Sequence, residues 1–111
     1  MTFDNYQNLA RSTAVYPQQY KLIYPALGLG GEAGEVLEKI KKLIRDDNGK
    51  LSSERREALK KELGDVMWYV SNIASDANIL LDDIATENLR KLQVRKEKNK
   101  LHGDGDNREN E

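Results

Sequence analysis

From Ala26 to Lys100 the chain contains no proline; its two prolines, Pro17 and Pro25, both lie before that stretch. Helix formers dominate the stretch and β-branched clusters are scarce, which predicts an all-α domain. A first helix is expected from after Thr2 to about Val15, with Phe3, Tyr6, Leu9, Ala10 and Ala14 facing inward. Tyr16 to Pro25 reads as a connection punctuated by proline. A second helix covers about Ala26 to Arg45 and stops in Asp46-Asp47-Asn48-Gly49. A third starts at Ser52 or Ser53, with Glu54 in its first turn, and runs to about Ala77. A fourth begins at Asp82 or Asp83 and fades after Lys96. Residues 1–100 thus form one helical domain, and 101–111 form a polar tail that composition marks as flexible.

Helices two and three share an internal repeat at an offset of 30 residues. Leu29-Gly30-Gly31-Glu32-Ala33-Gly34-Glu35-Val36 aligns with Leu59-Lys60-Lys61-Glu62-Leu63-Gly64-Asp65-Val66. The apolar positions keep matching beyond it: Leu37, Ile40, Leu43 and Ile44 answer Met67, Val70, Ile73 and Ala74. Positions 29, 33, 36, 37, 40 and 44 fall on one helical stripe, and the acidic pair flanks that stripe on each helix. Residues three apart in a helix are neighbours, about 4.5 Å along the axis and about 60° around it. If the two helices pack side by side, both pairs converge on one groove. Gly34 and Gly64 lie on the other flank, where a missing side chain permits close backbone approach.

Four carboxylates in one groove repel one another unless cations neutralise them. An all-oxygen donor set without thiolate or imidazole suits Mg²⁺, or Mn²⁺, rather than zinc or copper. Mg²⁺ so held completes its shell with water and substrate phosphate, which implies attack of water on a phosphate. A single Glu-x-x-Glu on a charged helix is ordinarily a solvated face, and Glu38 extends the first pair in that style. Two pairs in matching frames are different, because each frame spends a mid-helix glycine at about 1 kcal/mol relative to alanine.

On the fourth helix, Asn88, Lys91 and Arg95 fall within about 60° of one another on the helical wheel. One amide and two cations in a line suit a polyphosphate, with Arg95 able to grip two oxygens. The bland alternative is an ordinary basic surface, since Arg90, Lys96, Lys98 and Lys100 are close by. Beside an acidic metal site the phosphate role is the better reading. His102, in the polar tail, reads as solvated. Trp68 points away from its helix's apolar stripe, which suits a contact with a nucleobase or, the better reading, with another subunit.

Composition narrows the function classes. The 18 basic and 19 acidic side chains give a net charge of −1, without the basic excess of a nucleic-acid or membrane-surface binder. With no cysteine, disulfides, thiolate metal sites and cysteine nucleophiles are excluded. No signal peptide or membrane span is evident, so the expected location is the cytoplasm.

These residues resemble the MazG-type all-α nucleoside triphosphate pyrophosphohydrolases. The family signature, Glu-x-x-Glu, a spacer and Glu-x-x-Asp, reads here as Glu32-Ala33-Gly34-Glu35 and Glu62-Leu63-Gly64-Asp65, with 26 residues between. Asn88-x-x-Lys91-x-x-x-Arg95 looks like the family's phosphate-side motif, and similarity runs from about Tyr20 to Arg95. The resemblance implies a four-helix MazG-like bundle completed by oligomerisation into a homodimer or homotetramer. It also implies Mg²⁺ at Glu32, Glu35, Glu62 and Asp65, and cleavage of a ribo- or deoxynucleoside triphosphate to monophosphate and pyrophosphate. Water would attack the α-phosphorus with Glu35 as base, while Lys91 and Arg95 neutralise the departing pyrophosphate. Gly103 to Arg108 also looks like the tail of some small single-domain members, which implies an active-site lid. Tyr16, Tyr20 and Tyr24 are candidates for a base pocket or for packing, and substrate identity stays open.

Two other readings compete. A helical scaffold or interaction protein without catalysis predicts no dependence on divalent metal. The same fold acting on a phosphoribosyl pyrophosphate-type substrate would carry the same motifs. A di-iron bundle is disfavoured, because such sites use Glu-x-x-His pairs and the single histidine lies in the tail.

Overall fold

The computed structural model describes residues 1–106 and holds, among them, four α-helices and no strand. They are α1 (Phe3–Ser12), α2 (Ile23–Asp47), α3 (Ser53–Asp76) and α4 (Leu81–Glu97), with a short 3₁₀ turn at Gln18–Tyr20. The all-α expectation holds. Residues 107–111 of the expected tail lie outside the described residues.

Helix boundaries follow local chemistry. Thr2 and Ser52 cap α1 and α3, their hydroxyl oxygens accepting from the N–H groups of Asn5 and Arg55 at 3.1 and 3.2 Å. α1 ends at Ser12, short of the expected Val15. The hydroxyls of Ser12 and Thr13 turn back onto the carbonyls of Leu9 and Ala10 and compete with the helical ladder there. α2 starts at Ile23, three residues before the expected Ala26, with Pro25 inside its first turn. Proline is harmless there, because that turn's N–H groups have no intrahelical partner. α2 stops where expected: Asn48 is left-handed at φ 53°, Gly49 follows at φ 77°, and the Gly49 N–H reaches the Leu43 carbonyl at 3.1 Å.

α2 and α3 form an antiparallel hairpin, the principal helix pair of the chain. α1 packs on α3, and α4 lies against α1 and α3. Arg55 ties the hairpin's turn together through ion pairs with Asp46 and Asp47.

The buried positions are unexpectedly polar. On α1 the inward residues are Gln7 and Ala10, whereas Phe3 and Leu9, expected inside, are exposed. The Gln7 carboxamide donates to Ser75 Oγ (3.1 Å) and the Ile79 carbonyl (2.9 Å), and accepts from the Leu81 N–H (2.8 Å). It thereby joins α1 to the α3–α4 junction and satisfies backbone groups that would otherwise be stranded.

Asp76, with a fully buried side chain, is a second hub. Its Oδ2 accepts from the Tyr16 hydroxyl at 2.7 Å and the Leu22 N–H at 2.9 Å. The Arg11 guanidinium lies 2.7 Å from Oδ1 as an ion pair, while its hydrogens also serve the Tyr16 hydroxyl and Asn72 Oδ1. Leu22 pays for this contact with an unusual backbone, φ 69° and ψ −50°, bridged by an Ile23 N–H to Lys21 carbonyl bond of 2.8 Å. That is a γ-turn, a strained conformation for leucine.

The apolar stripe of α2 is left largely uncovered: Leu37 is 70%, Ile44 65% and Ile40 39% exposed. The radius of gyration is 17.0 Å, against about 13 Å for a compact domain of this length. No helix among the described residues is long and apolar enough to cross a membrane.

Burial alone would raise the Asp76 carboxyl, but the Leu22, Tyr16 and Arg11 donors outweigh it and hold the group below its ordinary value. Its stabilising contribution is therefore present above the unfolded-state pKa and is lost as pH falls through the lowered folded-state pKa. Asp76→Ala is expected to cost about 2–4 kcal/mol, by stranding Arg11 and the Leu22 N–H. Urea denaturation at pH 7 and at pH 3 checks this: the gap between wild type and variant should shrink at the lower pH.

Candidate functional site

At Gly28 the backbone of α2 lies directly against the ring of Tyr69 on α3. A Cβ on that residue would stand 2.2 Å from Cε1 of Tyr69, so only hydrogen fits. Gly34 and Gly64, the positions expected to allow close approach, are open: a Cβ on either would meet nothing within 4 Å. The spacing device is therefore Gly28, which the repeat does not include. Glu32 lies one turn beyond Gly28 on α2, and Asp65 one turn before Tyr69 on α3. Because the helices are antiparallel, contact at 28 and 69 brings Glu32 and Asp65 to the same level.

Glu32, Glu62 and Asp65 each offer a carboxylate oxygen, and these oxygens all lie within 4.8 Å of one another. Glu35, about 4.5 Å farther along α2, stands outside this tight group but is close enough for its charge to act on Glu32. Partial burial raises the Glu32 carboxyl first, then a hydrogen bond with Glu62, then the charges of Asp65, Glu62 and Glu35. Glu32 Oε2 is buried and has no hydrogen-bond partner. A buried, unpartnered carboxylate oxygen facing two further acids is a donor set short of a cation, and all its donors are oxygens. The residues present fit a divalent metal.

Other side chains border the cluster. Lys39, one turn beyond Glu35, holds its ammonium 3.8 Å from Glu62. Tyr69 and Tyr6 flank it, and both phenols are raised, first by burial and then in part by the Asp65 charge. The motif pattern identified none of these three: Lys39 and Tyr6 meet the field of the α3 acids from other helices, and Tyr69, one turn beyond Asp65, feels Glu32 from across the helix pair.

Asn88, Lys91 and Arg95 share one face of α4 as expected, but not the carboxylate groove. Asn88 and Lys91 line a separate cleft of about 440 Å³ with Ile84, Glu87 and Asp106. Arg95 is 5% exposed, and its guanidinium donates to the carbonyls of Gly105 and Asp106. Within one chain, the structure gathers three of the four acids and leaves the basic line apart.

The aromatic residues divide by role. Tyr16 stacks on Tyr24 at 5.1 Å between ring centroids, and its hydroxyl is committed to Asp76, so Tyr16 is a packing residue. Tyr20 and Tyr24 are about half exposed. Trp68 donates its indole N–H to Thr13 Oγ1 at 2.8 Å and meets Tyr69 edge-on. That hydrogen bond ties α3 to the residue that ends α1.

This all-α chain places acids from two repeated motifs across one antiparallel helix pair, an all-oxygen donor set that suits a divalent cation. Residues 22–99 match the MazG nucleotide pyrophosphohydrolase domain, and the chain belongs to that family. It is also similar to the Gene 37 protein of Mycobacterium phage L5, 44% identical over 114 residues that cover 97% of this chain and all of the phage protein. No solved structure gives a significant match.

Gly28→Ala is expected to destabilise the fold by about 1–3 kcal/mol, since the methyl group must displace the Tyr69 ring or spread the helices. Combining it with Tyr69→Leu should recover part of the loss. Thermal melts of the two single variants and the double variant test this, and strictly additive losses would rule out the contact as the cause.

Proposed function

We propose that this chain is a Mg²⁺-dependent nucleotide pyrophosphohydrolase that cleaves a nucleoside triphosphate to the monophosphate and pyrophosphate. The observation that carries the reading is the convergence of Glu32, Glu62 and Asp65, with Glu32 Oε2 buried and unpartnered, in a chain of the MazG family. Glu32, Glu62 and Asp65 would hold the cation, and Glu35 would complete its shell or serve the attacking water. A bound divalent cation supplies Lewis acidity and lowers the pKa of a coordinated water. Mn²⁺ would serve as an alternative.

Glu35 is the carboxylate best placed to accept the water's proton, because it lies beside the tight group without belonging to it. Lys39, now paired with Glu62, supplies a nearby cation that limits the repulsion among the acids. Asn88, Lys91 and Arg95 are the phosphate side, where two cations would stabilise the charge that develops on the departing pyrophosphate.

The site is completed by assembly into a homodimer or homotetramer. Two observations support this: the uncovered α2 stripe of Leu37, Ile40 and Ile44, and the separation of α4's cleft from the acids within one chain. Light scattering at micromolar concentration should find no stable monomer. The working location in this reading is the cytoplasm, with soluble nucleotides as substrates.

Pyrophosphate release is to be measured over a panel of ribo- and deoxynucleoside triphosphates, with Mg²⁺ and with EDTA. Release from at least one nucleotide should require Mg²⁺ and fall by about 100-fold or more in Glu35→Gln. If no triphosphate is cleaved, the reading is lost, leaving a phosphoribosyl pyrophosphate-type substrate or a scaffold without turnover.

A further inference from the structure

Beyond α4 the chain doubles back. Asn99 is left-handed at φ 56°, the Lys100 N–H closes onto the Arg95 carbonyl at 2.7 Å, and Gly105 is left-handed at φ 71°. These reversals lay residues 101–106 against the face of α4 that carries Lys91 and Arg95. The Asp106 carboxylate then meets both cations: its Oδ1 is 2.7 Å from Lys91 Nζ and 3.7 Å from Arg95 Nη2. Arg95 Nη2 also donates to the carbonyls of Gly105 and Asp106, at 3.4 and 3.2 Å. The Arg95 side chain is 6% exposed beneath the strap, while that of Asp106 remains 75% exposed.

We propose that this strap is an internal phosphate surrogate: Asp106 occupies the anion seat of Lys91 and Arg95, and a polyphosphate must displace it to bind there. The inference rests on reading α4 as the phosphate side. A carboxylate brings one charge and two oxygens to a seat with two cations. A phosphate brings more charge and a third oxygen, so the cations favour it once it arrives. Exposure of the Asp106 carboxylate keeps its own hold weak, since a solvated ion pair contributes little. The cleft of about 440 Å³ lined by Asn88, Lys91 and Asp106 gives an incoming diphosphate a way to the seat before the strap has left. Gly105 supplies the backbone turn that aims Asp106 inward, at a φ that residues with a side chain rarely adopt.

The full chain would be titrated calorimetrically with inorganic pyrophosphate in metal-depleted buffer, so that the carboxylate cluster cannot recruit pyrophosphate through a cation. Asp106→Asn should bind about 3- to 10-fold tighter than wild type, because the competing charge is gone. Lys91→Ala should bind more weakly than wild type. In wild type, pyrophosphate should also speed tryptic cleavage after Lys100 by releasing the strap. If Lys91→Ala weakens binding but Asp106→Asn leaves it unchanged or weaker, the seat stands and the surrogate is overturned. If neither wild type nor Asp106→Asn binds pyrophosphate, the phosphate-side reading of α4 falls and takes the surrogate with it.

Discussion

The ring of Tyr69 occupies the space where residue 28 would carry a β-carbon, and the geometry of the site follows from that contact. It sets the separation of α2 from α3 and their register. One turn along each helix in opposite directions, the same closeness forces Glu32 against Asp65, with Glu62 beside them. Like charges resist such proximity, so packing has to impose it. Part of the cost appears in the Glu32 carboxyl, which is raised above its ordinary value. Lys39 offsets some of the rest from the rim. The cluster is thus a strained electrostatic arrangement held by a steric one.

What the sequence made legible was whatever repeats or caps locally. The helices, the Ser52 cap, the stop at Asn48-Gly49 and the repeat that sets an acidic pair beside the same stripe on α2 and α3 all follow from short-range spacing. What it concealed depends on partners far along the chain. Gln7 is buried because it meets Ser75, Ile79 and Leu81, so a hydrophobic count on α1 found Ala10 but missed Gln7 and wrongly turned Phe3 and Leu9 inward. Gly28 matters through Tyr69, 41 residues away, whereas Gly34 and Gly64 looked important because they recur. Asp106 sits in a tail whose composition suggested only flexibility, yet it lies on the basic line of α4.

The interior has an unusual division of labour. Ser71, Asn72 and Asp76 are among the most buried side chains, while Leu37, Ile40 and Ile44 of the α2 stripe face outward. Hydrogen bonds fix geometry more sharply than apolar contacts, because each donor must meet a particular acceptor. The Asn72 amide shows this, donating to the Trp68 carbonyl at 3.1 Å and reaching the Ala10 carbonyl at 3.5 Å. The polar set specifies how α1 and α3 join, while much of the α2 stripe remains on the surface.

Helix α2 has no start signal of its own. Leu22 offers no side-chain cap, and the Leu22 N–H is satisfied by Asp76, 54 residues downstream at the far end of α3. Most helices begin with a local hydroxyl or carboxylate that can form while the chain is still open. Here the cap is borrowed across a long loop, so the first turn of α2 gains its partner only after α3 has docked. The acid-bearing middle of α2 can wind early as part of the hairpin, while its N-terminal turn is among the last elements to close. In the native state that turn belongs to the cooperative unit of α1 and the end of α3, and it should open with them.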